Sequence, residues 1–420
     1  MGRFKKIGVA LLFLCGWLGF SSTALAEAIH HISSDTCKTC HKAIYKQWKG
    51  SMHSQSAAVK DPIHGAFYGK VVGDPTKEGV KLKGKYPICL QCHAPNAARD
   101  KTTKLDAKPA YSEGINCVAC HTLSVFKGTT GKDGKQKLGM MAYKTADTLQ
   151  GPKGFKTEFK TEDMFGDASG EGDSKPNPHL GDAVELDGKT IQSMPMSGNP
   201  QLLKSNDACM GCHDKRARGN GVALCITGKE YAKGGARVAC TSCHMPVNQG
   251  LTDHSMGGGH DQAMLEKGFI FSVTSNKSGG ILRTRVTLEN KLPHSLPTGA
   301  PFRNIYVKLT AHDDSGNVVW QNFKDHPVTE DPKAYFNYEL LDAEGVHTSP
   351  PTSKSVGADN RLDAFETRTL EYDIPAKSVT LVRGELFYNL LWPELQKAFK
   401  DKFPQPLTTP QSIAFSEVKI

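Results

Sequence analysis

The chain has 420 residues, 38% of them hydrophobic, with a formal charge of +9 and a mean hydropathy of −0.42. These values exclude a disordered chain, and the length allows two domains of ordinary size. The 12 Cys and 16 His are clustered far from randomly, which excludes an ordinary disulfide scaffold.

Residues 1–26 have the three-part form of a secretory signal. Arg3, Lys5 and Lys6 precede an apolar run from Ile7 to Phe20, and Ala24-Leu25-Ala26 is the small-residue cleavage site. The run is too short to span a bilayer well, and no later segment approaches about 20 apolar residues, so no transmembrane span is expected in the mature chain. Cys15 follows the large Leu14, which disfavours a lipoprotein anchor. The mature protein is expected to start at Glu27, in the periplasm or at the cell surface. Losing three cations and no acids takes its charge from +9 to +6.

Residues 27–262 carry the chemistry. A Cys-X-X-Cys-His string, which chance would place about 0.01 times in this composition, occurs five times. Motif 1 is Cys37-Lys38-Thr39-Cys40-His41 and motif 2 is Cys89-Leu90-Gln91-Cys92-His93. Motif 3 is Cys117-Val118-Ala119-Cys120-His121, motif 4 Cys209-Met210-Gly211-Cys212-His213 and motif 5 Cys240-Thr241-Ser242-Cys243-His244. The first cysteines lie 52, 28, 92 and 31 residues apart, too uneven for a simple repeat array. After motif 1, Ile44, Tyr45 and Trp48 keep the spacing of one helix face. The Cys-free stretch from Thr122 to Asn206 is rich in Gly, Lys and Asp and reads mostly as loop.

Cys-X-X-Cys-His is the attachment site of c-type haem. The thiols bond the porphyrin vinyl groups, and the following His lies beneath the ring as proximal iron ligand. Zinc would use Cys₄ or Cys₂His₂ sets; five copies, each ending in His on an exported chain, favour haem. The expected cofactors are therefore five covalently bound haems. At about 47 residues per haem, the macrocycles must pack against one another and form much of the interior.

A second axial His makes a saturated electron carrier, whereas an open position permits substrate chemistry. Eleven His remain after the five proximal ones. His53 follows the helix of motif 1, and His254 and His260 flank flexible glycines beside motif 5. His179 is the only His of the insert, and His294 lies in the loop Leu292-Pro293-His294-Ser295-Leu296-Pro297. These five are the expected distal ligands, with His30, His31 and His64 in reserve. His312, His326 and His347 read as surface residues. Cys225 is left over, with a buried inert thiol favoured over a reactive one.

Past His260 the pattern changes to strands. Phe269–Thr274, Ile281–Leu288, Ile305–Thr310, Val318–Trp320, Thr367–Tyr372 and Val379–Val382 are predicted strands, with a hairpin turn at Asp314-Ser315-Gly316-Asn317. The expected fold is thus a mainly α or irregular haem-packed domain over 27–262, followed by an all-β, sandwich-like domain over 263–420.

The motifs resemble the multihaem cytochromes of the cytochrome c554 type. The residues that carry this are motif 1 with Tyr45, Trp48, Ser51 and His53, motif 2 with Ala94-Pro95-Asn96-Ala97, Gly114-Ile115-Asn116 before motif 3, and Met245-Pro246 after motif 5. The resemblance implies distal-ligand roles for His53 and His179. The segment Pro293–Arg303 resembles a β-domain appended to some multihaem cytochromes. The type member has four haems and no such domain, so the fifth haem and its ligand do not follow from it. No Cys-X-X-Cys-Lys occurs, which counts against the activity of the pentahaem nitrite reductases.

Two functions stay open. One is an electron carrier with mostly bis-His haems, serving redox partner proteins such as other multihaem cytochromes or a membrane complex. The other is an oxidoreductase acting on a small nitrogen or sulfur compound at one five-coordinate haem. The β-domain could add self-association, and no nucleic-acid partner is expected. Two propionates per haem set against one positive ferric porphyrin bring the oxidised holoprotein from +6 to about +1. The basicity therefore compensates the cofactors and is no clue to acidic partners.

Overall fold

The computed structural model describes residues 27–153, 177–214, 216–217 and 220–420. The expected signal segment and the centre of the insert lie outside the described residues.

The N-terminal part is built from short helices, because each is broken within a few turns. Proline occupies the first turn of the helices Pro62–Val71, Pro95–Asp100, Pro109–Ser112 and Pro200–Leu203, where its missing N–H costs nothing. The helix Lys42–Gly50 buries Trp48, whose Nε1–H donates to the Ile115 carbonyl at 2.8 Å, while Tyr45 donates to Asp35 at 2.6 Å. Apolar clusters here are small and separate: Tyr68, Leu90, Ala97 and Leu105 form one, Val118, Leu149 and Ile191 another. A buried polar network links them. Glu113 accepts from Ser33 Oγ and Ser34 N at 2.5 and 2.9 Å, and Asn116 Nδ2 donates to Glu113 and to the Ile32 carbonyl at 3.0 and 3.2 Å. The Thr122–Asn206 stretch is not all loop. It carries short ladders, including Leu123–Phe126 with Tyr143–Thr145 and a parallel pair, Leu149–Gly151 with Met196–Gly198.

The C-terminal part is a β domain. Strands β1 (Phe269–Ser278), β2 (Ile281–Asn290) and β7 (Thr367–Pro375) form one antiparallel sheet in the order β1-β2-β7. The other sheet runs β6-β5-β3-β8-β9, with β4 (Val318–Gln321) on β3. Its members are β3 (Asn304–His312), β5 (Tyr335–Leu341), β6 (Ser355–Asp359), β8 (Leu381–Asn389) and β9 (Gln411–Lys419). Alternation sets the faces: Leu282, Val286 and Leu288 of β2 are buried while Ile281, Arg283 and Arg285 face out. Those side chains share one apolar core with Ile305, Val307 and Leu309 of β3 and Val382 and Leu386 of β8. The predicted hairpin turn is present, with Asp313 Oδ1 accepting from Ser315 N at 3.0 Å and Asn317 N at 2.8 Å.

Three strands carried no readable pattern. All of β6 is exposed, Ile413 is the only fully buried residue of β9, and β5 opens on two adjacent buried rings, Tyr335 and Phe336, that break the alternation. Strand β8 continues past the predicted end because Gly384 is a packing glycine. A Cβ there would come within 2.5 Å of Val273 in the facing sheet.

The two parts are joined by a buried ion pair. Glu230, on the helix Thr227–Lys233, accepts from Arg361 Nη1 at 2.6 Å and from Thr298 Oγ1 at 2.5 Å, and both charged side chains are under a tenth exposed. Arg361 also pairs with Asp359 at 2.7 Å. Arg361→Ala strands the Glu230 carboxylate and is expected to lower stability by about 3–5 kcal/mol, read as a fall in thermal midpoint by circular dichroism. Arg361→Lys, which lacks the planar fork, should recover only part of it.

Candidate functional site

Each motif closes one helical turn, so that both thiols and the imidazole leave the same side of the backbone. His41 N and His93 N donate to the carbonyls of Cys37 and Cys89 at 2.9 and 3.0 Å, and motifs 3 to 5 lie in the helices Cys117–His121, Asp207–His213 and Cys240–His244. The turns are seated by specific bonds. Asn116 Oδ1 caps motif 3 from Ala119 N at 3.0 Å, and Asn206 Oδ1 accepts from Cys240 N at 2.8 Å, tying the start of motif 5 to that of motif 4. Tyr143 accepts from Gly211 N at 2.9 Å and donates to the Asp207 and Ala208 carbonyls. Among the described cysteines none is in a disulfide.

Four motif histidines face a second histidine from a distant segment. Ring centroids are 5.9 Å apart for His41 and His179, 6.1 Å for His213 and His53, 6.5 Å for His121 and His254, and 6.4 Å for His244 and His294. Two imidazoles sharing one iron hold their centroids about 6 Å apart, from two metal–nitrogen bonds of about 2 Å and two ring radii of about 1 Å. His53, His179, His254 and His294 thus each stand opposite one motif. His260 does not: among the described residues no ring contact joins it to a motif histidine, and it sits near the Arg303 guanidinium, its pKa pushed down to about 4 by burial.

Nδ1 is occupied on six of the eight rings in these pairs, which leaves Nε2 of each for a metal. His121, His244, His179, His254 and His294 donate from Nδ1 to the carbonyls of Gln150, Gly257, Met194, Thr252 and Ser295 at 2.8, 2.7, 3.1, 2.8 and 3.0 Å. His53 Nδ1 meets the Met256 sulfur at 2.6 Å. Burial is the leading cause that lowers the pKa of His41, His121, His213 and His294, and it pushes His53 down to about 4. The neutral, lone-pair-bearing imidazole is therefore the form present at neutral pH.

Motif 2 is different. His64, from the helix Pro62–Val71, lies beside His93 rather than opposite it, with ring centroids 4.0 Å apart. Both donate from Nδ1 to the same Ser56 carbonyl, at 2.9 and 3.2 Å, and His64 Nε2 is buried without a partner. The charge of Arg216 acts on both rings. His64 stayed in reserve in the sequence because Asp61-Pro62-Ile63-His64 reads only as a capped helix start, with no ligand spacing.

The motifs touch one another. Thiols are in contact between Cys37 and Cys117, Cys92 and Cys212, and Cys209 and Cys240, and Cys120 lies close to both Cys209 and Cys212. Motif 1 therefore adjoins motif 3, motif 3 adjoins motif 4, and motif 4 adjoins both 2 and 5.

The cytochrome c554 and c-prime family matches residues 36–122. A crystal structure of a penta-haem cytochrome c552 from Thermochromatium tepidum superposes with a TM-score of 0.87 at 54% sequence identity, covering 94% of this chain and 100% of that one. The chain belongs to the penta-haem c-type cytochromes. It carries five covalently bound c-type haems. A DUF1425 family member from Shewanella sp. pv-4 matches at 18% identity over 28% of this chain and 71% of that one, with a TM-score of 0.14 that carries no argument. No curated protein matches the cytochrome.

The residues of the cytochrome fit such groups. The His213 side chain is exposed, so motif 4 does not close its ring into a solid apolar core. Donors for anionic propionates are also at hand: Arg303 Nε and Tyr388 Oη are buried without partners among the described residues, and both side chains flank the space that a Cβ at Gly259 would fill. A Cβ at Gly211 would fall 2.2 Å from the Tyr143 ring. Gly211→Ala is thus expected to cost about 1–3 kcal/mol by overpacking motif 4, and Tyr143→Leu in the same chain should recover part of it, both read from thermal unfolding.

Proposed function

We propose that the cytochrome carries electrons through haems held at motifs 1, 3, 4 and 5, with the haem of motif 2 joined at motif 4. Each haem bonds its two motif cysteines: Cys37 and Cys40, Cys89 and Cys92, Cys117 and Cys120, Cys209 and Cys212, or Cys240 and Cys243. The proximal ligands are His41, His93, His121, His213 and His244, and His179, His254, His53 and His294 close the distal side of motifs 1, 3, 4 and 5. The observation that carries this reading is the set of four facing imidazole pairs at 5.9–6.5 Å. Iron between two histidines supplies a reversible one-electron step with no open position for substrate. The protein's share is to fix most of those imidazoles by their Nδ1 bonds, and to hold neighbouring motifs in contact so that electrons pass over short gaps.

Several finer readings belong with this one. The two C-terminal sheets, whose buried faces share a core, form a β-sandwich, and the boundary falls near residues 262–263. The cytochrome works outside the cytoplasm with redox partner proteins. Among the described residues no helix is long and apolar enough to cross a membrane.

A second reading rests on motif 2. A 4.0 Å centroid separation is shorter than two imidazoles sharing an iron allow, and the positive charge of Arg216 acts on both rings. That arrangement suits reduction or oxidation of a small nitrogen or sulfur anion there. Electron paramagnetic resonance and carbon monoxide binding separate the two. His254→Ala should convert one low-spin haem of the oxidised protein to high spin; an unchanged spectrum removes His254 from the ligands. Stoichiometric carbon monoxide binding by the reduced wild type, at one haem, would establish the second reading, and complete inertness would exclude it.

A further inference from the structure

Two histidines outside all five motif pairs converge on one carboxylate. His30 and His31 form the 3-10 turn Ile29–His31, with ring centroids 4.2 Å apart and planes tilted by 60°. His30 Nε2 lies 2.8 Å from Asp100 Oδ1, and His31 Nε2 lies 2.6 Å from Asp100 Oδ2. Tyr111 donates to the same Oδ2 and stands 3.3 Å from His31 Nε2. All three ligand atoms fall within 4.8 Å of one another.

The geometry points to a divalent transition-metal site, distinct from the haems, with His30, His31 and Asp100 as its ligands. Metal–nitrogen and metal–oxygen bonds of about 2.0–2.2 Å place neighbouring ligand atoms about 3 Å apart, close to the spacing observed. Two imidazoles and one carboxylate are a donor set that suits Zn²⁺ and its neighbours rather than Ca²⁺ or Mg²⁺, which prefer all-oxygen shells. The side chains are 14%, 18% and 30% exposed, so water can complete the coordination sphere. Tyr111 would orient the carboxylate from behind, as second partners of metal ligands commonly do.

The backbone around the site is already fixed. Ile29 and Ile32 pack against the cluster of Val118 and Leu149, and His31 N donates to the Ala28 carbonyl at 2.8 Å. Asp100 ends the helix Pro95–Asp100, where Lys101 turns into the left-handed region at φ 57°. The charge of Arg99 acts on His30, but its guanidinium is held by Thr122, donating to Oγ1 at 3.0 Å. An ion here would clamp the first turn of the described chain onto the helix that follows motif 2.

The test is zinc titration of the haem-loaded protein after treatment with EDTA. Isothermal calorimetry and metal analysis should find one Zn²⁺ per chain beside the iron, and His31→Gln or Asp100→Asn should weaken that binding by more than about 100-fold at unchanged iron content. Tyr111→Phe should weaken it by about 10-fold, and His312→Gln, far from the cluster, should leave it unchanged. Should either ligand variant fail to assemble with five haems, His30→Gln serves in its place. Absence of zinc binding by the wild type, or equal binding by the ligand variants, would overturn the site.

Discussion

Four motif imidazoles each face a second imidazole from a distant part of the chain across about 6 Å, and placing those pairs is the requirement around which much of this cytochrome is arranged. A motif places only one imidazole of each pair. The other comes from wherever the chain can bring it: a helix after motif 1, the insert, the glycine-rich segment after motif 5, and a loop of the β domain. Backbone carbonyls fix most of these rings through Nδ1, and the carbonyls are themselves held by local turns, as Met194 is by its bond to Pro178. Short helices and irregular chain therefore suffice where a larger apolar core would otherwise be needed.

The same requirement explains why the β domain is more than an appendage. His294 faces His244 from a loop that is stapled at both ends, Asn290 Nδ2 donating to the carbonyls of His294 and Asp363 at 2.9 and 2.7 Å. A drifting loop could not hold an imaginary line between two rings to a fraction of an ångström. The buried Glu230–Arg361 pair restrains the domain interface beside it. Buried ion pairs are poor sources of net stability but are intolerant of alternative geometry, which suits an interface whose task is registration. Motif 2 lies outside this scheme, since its neighbour His64 shares an acceptor with His93 instead of opposing it.

Legibility followed physical locality. The five motifs and the helix face of Ile44, Tyr45 and Trp48 are short-range patterns, and so are β2 and β3, where side chains alternate cleanly between core and solvent. Strands β6 and β9 were invisible because an exposed or weakly buried edge imposes no alternation. The end of β8 was hidden by Gly384, which looks like a break in one dimension and is a close contact between sheets in three. The same holds for His30 and His31: nothing in their neighbours announces Asp100, seventy residues on.

By itself the sequence determined the number and covalent chemistry of the haem sites, because a Cys-X-X-Cys-His turn is complete within five residues. It also determined that β structure follows the motifs, through alternation over six to ten residues. Only the tertiary structure decided which histidine faces which motif, why His260 is turned to Arg303, and why His64 stands beside its ring. Those outcomes depend on contacts between segments tens to hundreds of residues apart, such as His53 with His213 and Glu230 with Arg361, and no local periodicity records them.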